Sequence, residues 1–258
     1  MKYLLCLLGI FFFLPQIVQA KALAVPFTSQ APDGVWTQPW FDACEEATIT
    51  MVDAFYAGKS TSKAYAKDMI QRIVKFELKT FGFHRDTNAA QIADTINRYF
   101  PWEARVVKNP TLEDIKTELN AGRPVIIPVH GRALRNPYFR NGGPDYHTVV
   151  IAGYDDEKTQ FIVQEPGTRH GQDFRYSYDT LLAATHDFLP LGRTRFGERV
   201  AIFTMKQLSN SDEIDADNDG LTKAEELRYG TVLWLYDSDG DGFSDGEEVK
   251  TGHSPTRK

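Results

Sequence analysis

Cysteine is almost absent from this chain: its 258 residues hold two, Cys6 and Cys44. Cys6 lies inside an N-terminal apolar run, so a chain that loses that run keeps one thiol and has no internal disulfide. A closed zinc site is disfavoured as well, because one cysteine and six scattered histidines make no four-ligand set. Long apolar runs are equally scarce. Residues 4–14 form one, but it ends at Pro15 and falls short of the roughly 20 residues a bilayer span needs. With Met1-Lys2 before it and Val18-Gln19-Ala20 after it, it reads as a cleaved secretory signal over residues 1–20, leaving no membrane span. Basic excess is missing too. At a net charge of −6, with no basic stripe and no basic amphipathic helix, the chain has no footing for nucleic acid or a membrane surface.

The charge that is present is placed unevenly. From Leu208 onward there are thirteen acidic residues against five basic ones, whereas the rest of the mature chain is close to neutral. Residues 21–207 are enough for one large domain, and 208–258 form a different kind of segment. Helical patterns are expected over 44–56, 62–78, 87–99 and 111–119, the last opened by the capping-box sequence Thr111-Leu112-Glu113-Asp114. After Gly122 the pattern turns to β-rich runs at 124–129, 148–153, 160–164 and 199–205, with one more helix capped near Tyr178-Asp179. Helices first and strands later imply an α+β fold, a helical part facing an antiparallel sheet.

The surviving thiol opens the first of those helices, in Asp42-Ala43-Cys44-Glu45-Glu46-Ala47. A helix start favours a thiolate, because its dipole and free N–H groups stabilise an anion. Asp42, Glu45 and Glu46 act in the opposite sense unless a cation offsets them. About a hundred residues on, His147 opens the run Val149, Val150, Ile151. Cysteine first and histidine later on a strand is the order of papain-like cysteine hydrolases. There a thiolate attacks an amide or ester carbonyl, an imidazole moves the proton, a third group orients the imidazole and N–H donors hold the oxyanion. Cys44 and His147 fit the first two roles. Glu165, in Gln164-Glu165-Pro166-Gly167, ends the strand after His147 and is able to accept from an imidazole N–H. Gln30 and Gln38 both qualify by residue type as oxyanion donors.

Four motifs follow in order: Val25-Pro26-Phe27-Thr28-Ser29-Gln30, Asp42-Ala43-Cys44-Glu45-Glu46-Ala47, His147-Thr148-Val149-Val150-Ile151-Ala152-Gly153-Tyr154-Asp155, and Glu165-Pro166-Gly167. Together, over residues 25–205, they resemble the peptidase-like relatives of the double-glycine leader (bacteriocin-processing) cysteine peptidases. The resemblance implies a papain-like fold with Cys44 as nucleophile, His147 as general base, Gln30 as oxyanion donor and Glu165 as orienting residue. Two departures stand out: Glu165-Pro166 replaces the family's Asp-Pro, and Cys44-Glu45-Glu46 replaces the common Cys-Gly-Pro. Nothing here resembles a transporter, so leader processing is not implied.

The acidic tail repeats one unit: Asp215-Ala216-Asp217-Asn218-Asp219-Gly220-Leu221, then Asp237-Ser238-Asp239-Gly240-Asp241-Gly242-Phe243. Carboxylates at loop positions 1, 3 and 5 converge on one cation, glycine at 6 allows the turn, and position 7 offers a backbone carbonyl. Asp215, Asp217, Asp219, the Leu221 carbonyl and Glu226 are therefore candidate calcium ligands. Asp237, Asp239, Asp241, the Phe243 carbonyl and Glu248 form the second set, with Asp245 placed to bind through water. The apolar residue at position 7 makes the units resemble bacterial thrombospondin type 3-like calcium repeats.

The expectation is a secreted, periplasmic or surface-displayed papain-like cysteine hydrolase that cleaves a peptide or protein amide through a Cys44 thioester. Its calcium-binding extension would stiffen or attach it. The rivals are a catalytically silent binding protein on the same fold and a peptidoglycan amide hydrolase whose partner is a cell-wall component.

Overall fold

The computed structural model describes residues 20–206, 215, 217–232 and 236–257. The signal expected over residues 1–20 lies outside the described residues except for Ala20. Helices α1 (Cys44–Tyr56), α2 (Lys63–Phe81) and α3 (Ala89–Tyr99) come first. They are followed by a sheet in which every pairing is antiparallel. Its strands run in the order β2 (Trp102–Lys108), β7 (Val200–Lys206), β3 (Val125–His130), β4 (Tyr146–Asp155), β5 (Gln160–Gln164) and β6 (Phe174–Ser177). A short β1 (Ala20–Ala22) pairs with the far end of β4. Helices α4 (Leu112–Asn120) and α5 (Tyr178–Ala184) interrupt the strands, and α6 (Lys223–Tyr229) and α7 (Asp245–Thr251) follow the acidic loops. The expected α+β architecture is therefore present.

Local chemistry explains the helix starts. Asn88 accepts from Gln91 N while the Gln91 side chain accepts from Asn88 N, and Thr111 and Asp114 form the same reciprocal pair. Asn88→Ala is expected to cost about 1 kcal/mol, read as a lower urea midpoint at unchanged m-value.

Period-2 alternation divides β4 between two cores. Val150 and Ala152 join Ile126, Ile202 and the buried faces of α1 to α3, while Val149 and Ile151 join Val125, Ile127 and the residues of α4 and α5. All ten residues of β4 are buried, as expected for a strand covered on both faces. Helices thus pack on both sides of the sheet, a fuller cover than one helical part facing it. Gly153 is required where β1 crosses, since a Cβ there would meet the Lys21 carbonyl oxygen at 2.2 Å.

Three strands carried no expectation, β1, β2 and β6. Trp102-Glu103-Ala104-Arg105 does alternate buried and exposed, but Pro101 just before it reads as a helix stop. Val232, after the first acidic loop, is buried in the core under α1 to α3, so the tail is docked on the main domain.

Candidate active site and acidic loops

Cys44 is the first residue of α1, and no side chain caps that helix start. The loop before it is fastened by Gln30, whose Nε2 donates to the carbonyls of Trp40 (3.1 Å) and Phe41 (2.9 Å). The Gln30 backbone N–H donates to Pro166 O (3.0 Å), and Ser29 Oγ donates to the same oxygen (3.2 Å). Gln30 therefore ties the cysteine loop to the Glu165-Pro166-Gly167 segment. With both amide hydrogens so engaged, it acts here as a clamp rather than as an oxyanion donor. Gln38 is exposed and donates to Asp42 Oδ2 (2.6 Å). The Cys44 backbone N–H at the helix start is the donor left for an oxyanion.

The thiol is not poised as a thiolate. Cys44 Sγ donates to Glu45 Oε2 at 2.9 Å, and Glu45 Oε1 accepts from Thr87 N at 2.8 Å. Burial, with the Glu45 carboxylate next, pushes the Cys44 thiol well above its ordinary range. A helix dipole contributes at most about 2 kcal/mol toward the anion, and here burial and the adjacent carboxylate outweigh it. Glu45, Glu46 and Glu77 are all fully buried, and burial raises all three carboxyls.

His147 meets the partner expected for it. Its Nε2 lies 2.5 Å from Glu165 Oε1. Glu165 Oε1 also accepts from Gly167 N (2.8 Å), and Oε2 accepts from the Tyr176 hydroxyl (2.9 Å), which itself accepts from Asn136 Nδ2 (2.7 Å). Phe139 packs edge-on against the imidazole at 5.4 Å. With Nε2 committed to the carboxylate, Nδ1 is the nitrogen left to exchange a proton. Glu165 is thus a fully buried, three-donor carboxylate despite its extra methylene. Tyr176 and Asn136 were invisible in the sequence, since both stand outside the four motifs.

The two halves are not joined in this structure: the Cys44 hydrogen bond goes to Glu45 and the His147 hydrogen bond to Glu165. His147 shares the strand parity of Val149, whereas its neighbour Tyr146 donates to Thr87 O beside Glu45 (2.8 Å). Nucleophile–base bonds in unliganded enzymes are often open and close only with substrate. Among the other histidines, His84 lies 3.6 Å from Glu46, His130 lies 3.6 Å from Asp145, and His170 stacks on Tyr138.

The acidic loops have one geometry twice over. Asp215 accepts from Asn218 N and Gly220 N, and Asp237 accepts from Gly240 N and Gly242 N. Gly220 and Gly242 hold φ of 98° and 105°, which other residues adopt only under strain. Asp215, Asp217 and Asp219 bring ligand oxygens within 4.8 Å of one another, as do Asp237, Asp239 and Asp241. Among the described residues, buried oxygens of Asp217, Asp239, Glu226 and Glu248 have no hydrogen-bond donor. All-oxygen, carboxylate-rich sets with orphaned atoms of this kind suit a hard cation. Asp245, expected beside the second loop, instead lies with Asp219 and Glu226.

Two family models match parts of the chain. The Peptidase_C39 like family model matches residues 22–192, and the bacterial TSP3 repeat matches residues 215–231 and 237–253. A solved structure described as a C39-like peptidase from Bacillus anthracis is similar over 73% of this chain and 98% of its own, at 18% identity and TM-score 0.49. No curated protein matches the chain.

Proposed function

The chain belongs to the Peptidase_C39 like family, and from that premise we propose that it is a secreted or surface-displayed cysteine hydrolase of peptide amides. The observation that carries the reading is the His147–Glu165 pair, a buried imidazole oriented by a carboxylate held by Gly167 N and Tyr176. In the reaction the Cys44 S–H proton passes to His147 Nδ1 and the sulfur attacks the amide carbonyl. The imidazolium then protonates the departing amine, leaving a thioester. Water, deprotonated by the same imidazole, releases the acid and restores the thiol. Placement outside the cytoplasm rests on the signal-like N-terminus and the bacterial TSP3 repeats. Among the described residues no helix is long and apolar enough to cross a membrane.

Calcium is the proposed cation of the tail. Asp215, Asp217, Asp219, Leu221 O and Glu226 would hold one ion, and Asp237, Asp239, Asp241, Phe243 O and Glu248 the other. The ions would neutralise clustered carboxylates that otherwise repel one another.

A second reading is favoured by the Cys44–Glu45 hydrogen bond, which keeps the thiol protonated: a silent binding protein on the same fold. An irreversible peptidyl electrophile separates the two. Covalent capture at Cys44, slowed at least about tenfold in His147→Ala, supports the hydrolase. Equal, slow labelling of both proteins at the rate of an ordinary thiol leaves the binding protein. Turnover of peptides against cell-wall fragments then separates a peptidase from a peptidoglycan amidase.

A further inference from the structure

Three carboxylates join the two repeats. Asp219 and Glu226 belong to the first repeat and Asp245 to the second, and their ligand oxygens lie within 4.8 Å of one another. The three residues are 8%, 2% and 0% exposed. Three buried carboxylates at that separation are strongly unfavourable without a counter-charge. Among the described residues neither oxygen of Glu226 has a hydrogen-bond donor, and the carboxylate lies in the cluster with its coordinating capacity unused.

The remaining contacts hold Asp245 in place without exhausting it. Its Oδ1 and Oδ2 accept from Ser238 N (2.8 Å) and Ser238 Oγ (2.6 Å), each leaving a lone pair on the oxygen. The backbones also lock: Gly246 N donates to Asp219 Oδ2 (2.8 Å), and a Cβ on Gly246 would meet Asp219 O at 2.2 Å. A second-repeat glycine therefore lets the start of α7 close onto the first loop.

We propose that Asp245 of the second repeat is a ligand of the first repeat's cation, shared with Asp219 and Glu226, so that the repeats form one coupled binding unit. This rests on the reading that the repeats bind calcium. Filling the first site fixes α7 against the first loop, and the chain that closes the second loop is then already ordered.

Calcium titration of the full chain tests it, followed by calorimetry and by the calcium-dependent rise in melting temperature. To isolate the first site, the background is Asp237→Asn with Asp239→Asn, which disables the second loop's own set. On that background Asp245→Asn is expected to weaken calcium binding at least tenfold, as loss of a charged ligand does. Ser238→Ala, which removes only the hydroxyl bond to Asp245, is expected to stay within about threefold, showing that a weaker site is not merely a displaced α7. Overturning results are an affinity within twofold for Asp245→Asn, or an equal loss in Ser238→Ala. Should the unmutated chain bind no calcium, the repeat reading itself falls, an outcome distinct from failure of Asp245 alone.

Discussion

Glu165→Gln is expected to lower amide turnover by about 10² to 10⁴-fold with little change in KM, because the lost element is the orientation of a proton carrier rather than substrate contact. The glutamine offers one acceptor and one NH₂ where the carboxylate accepts from His147, Gly167 N and Tyr176. If its carbonyl takes the place of Oε2 and keeps the Tyr176 donor, its NH₂ takes the place of Oε1 and faces both His147 Nε2 and Gly167 N. The imidazole proton then moves to Nδ1, and the ring no longer accepts a proton from sulfur there. Glu165→Asp keeps the charge and restores the family's residue at reduced reach, so partial recovery is expected. Tyr176→Phe leaves one carboxylate oxygen without its donor and should cost roughly tenfold. Turnover within about threefold of the unmutated enzyme in Glu165→Gln would sink the role assigned to the pair.

The second large effect concerns pH and stability. Glu77 is fully buried, none of the Glu46 and Glu77 carboxyl oxygens has a hydrogen-bond donor, and burial with Glu46 and Glu45 nearby raises Glu77 well above its ordinary value of 4.5. Glu45 and Glu46 are the carboxyls beside it, His84 and Asp86 stand next to Glu46, and burial with Asp42 nearby pushes Asp86 up to about 6. A carboxyl raised in the folded state binds its proton more tightly there than in the unfolded chain. Its contribution is full below pH 4.5 and is lost as pH climbs through the folded value. Each pH unit in that window costs about 1.4 kcal/mol per carboxyl, roughly 3–6 °C in Tm for a chain of this size. Glu77→Gln, uncharged at every pH and able to donate to Glu46, should flatten the decline and melt higher than the unmutated protein at pH 8. A melting curve equally steep in both proteins would remove Glu77 from the account.

Much of the fold is legible in residue spacing, because helix caps and β-branched runs are local signals. Asn88, Thr111 and Ser177 each sit within one residue of a helix start, and the Val149-Val150-Ile151 run needs no context to read as a buried strand. The His147–Glu165 pairing follows from antiparallel neighbours and from motif order. What escaped depends on side chains meeting across the fold. Asn136 and Tyr176 are 40 residues apart, and Thr87 reaches Glu45 across 42. The state of the thiol also depends on the fold, for a helix start is visible in sequence while the depth of burial around Cys44 is not. Loop numbering is local and ties Asp245 to its own loop, where it does accept from Ser238, but it cannot show that the same carboxylate also lies within 4.8 Å of Asp219 and Glu226 of the preceding repeat.

The burial of β4 on both faces sets the imidazole half of the site in a rigid frame. His147 sits on a strand gripped by two hydrophobic layers and by β3 and β5, so its backbone behaves as a stator. The cysteine side is anchored to the same frame, because Gln30 ties its loop to Pro166 and the helix behind Cys44 is buried. The sheet is thus the common datum to which both halves of the site are referred.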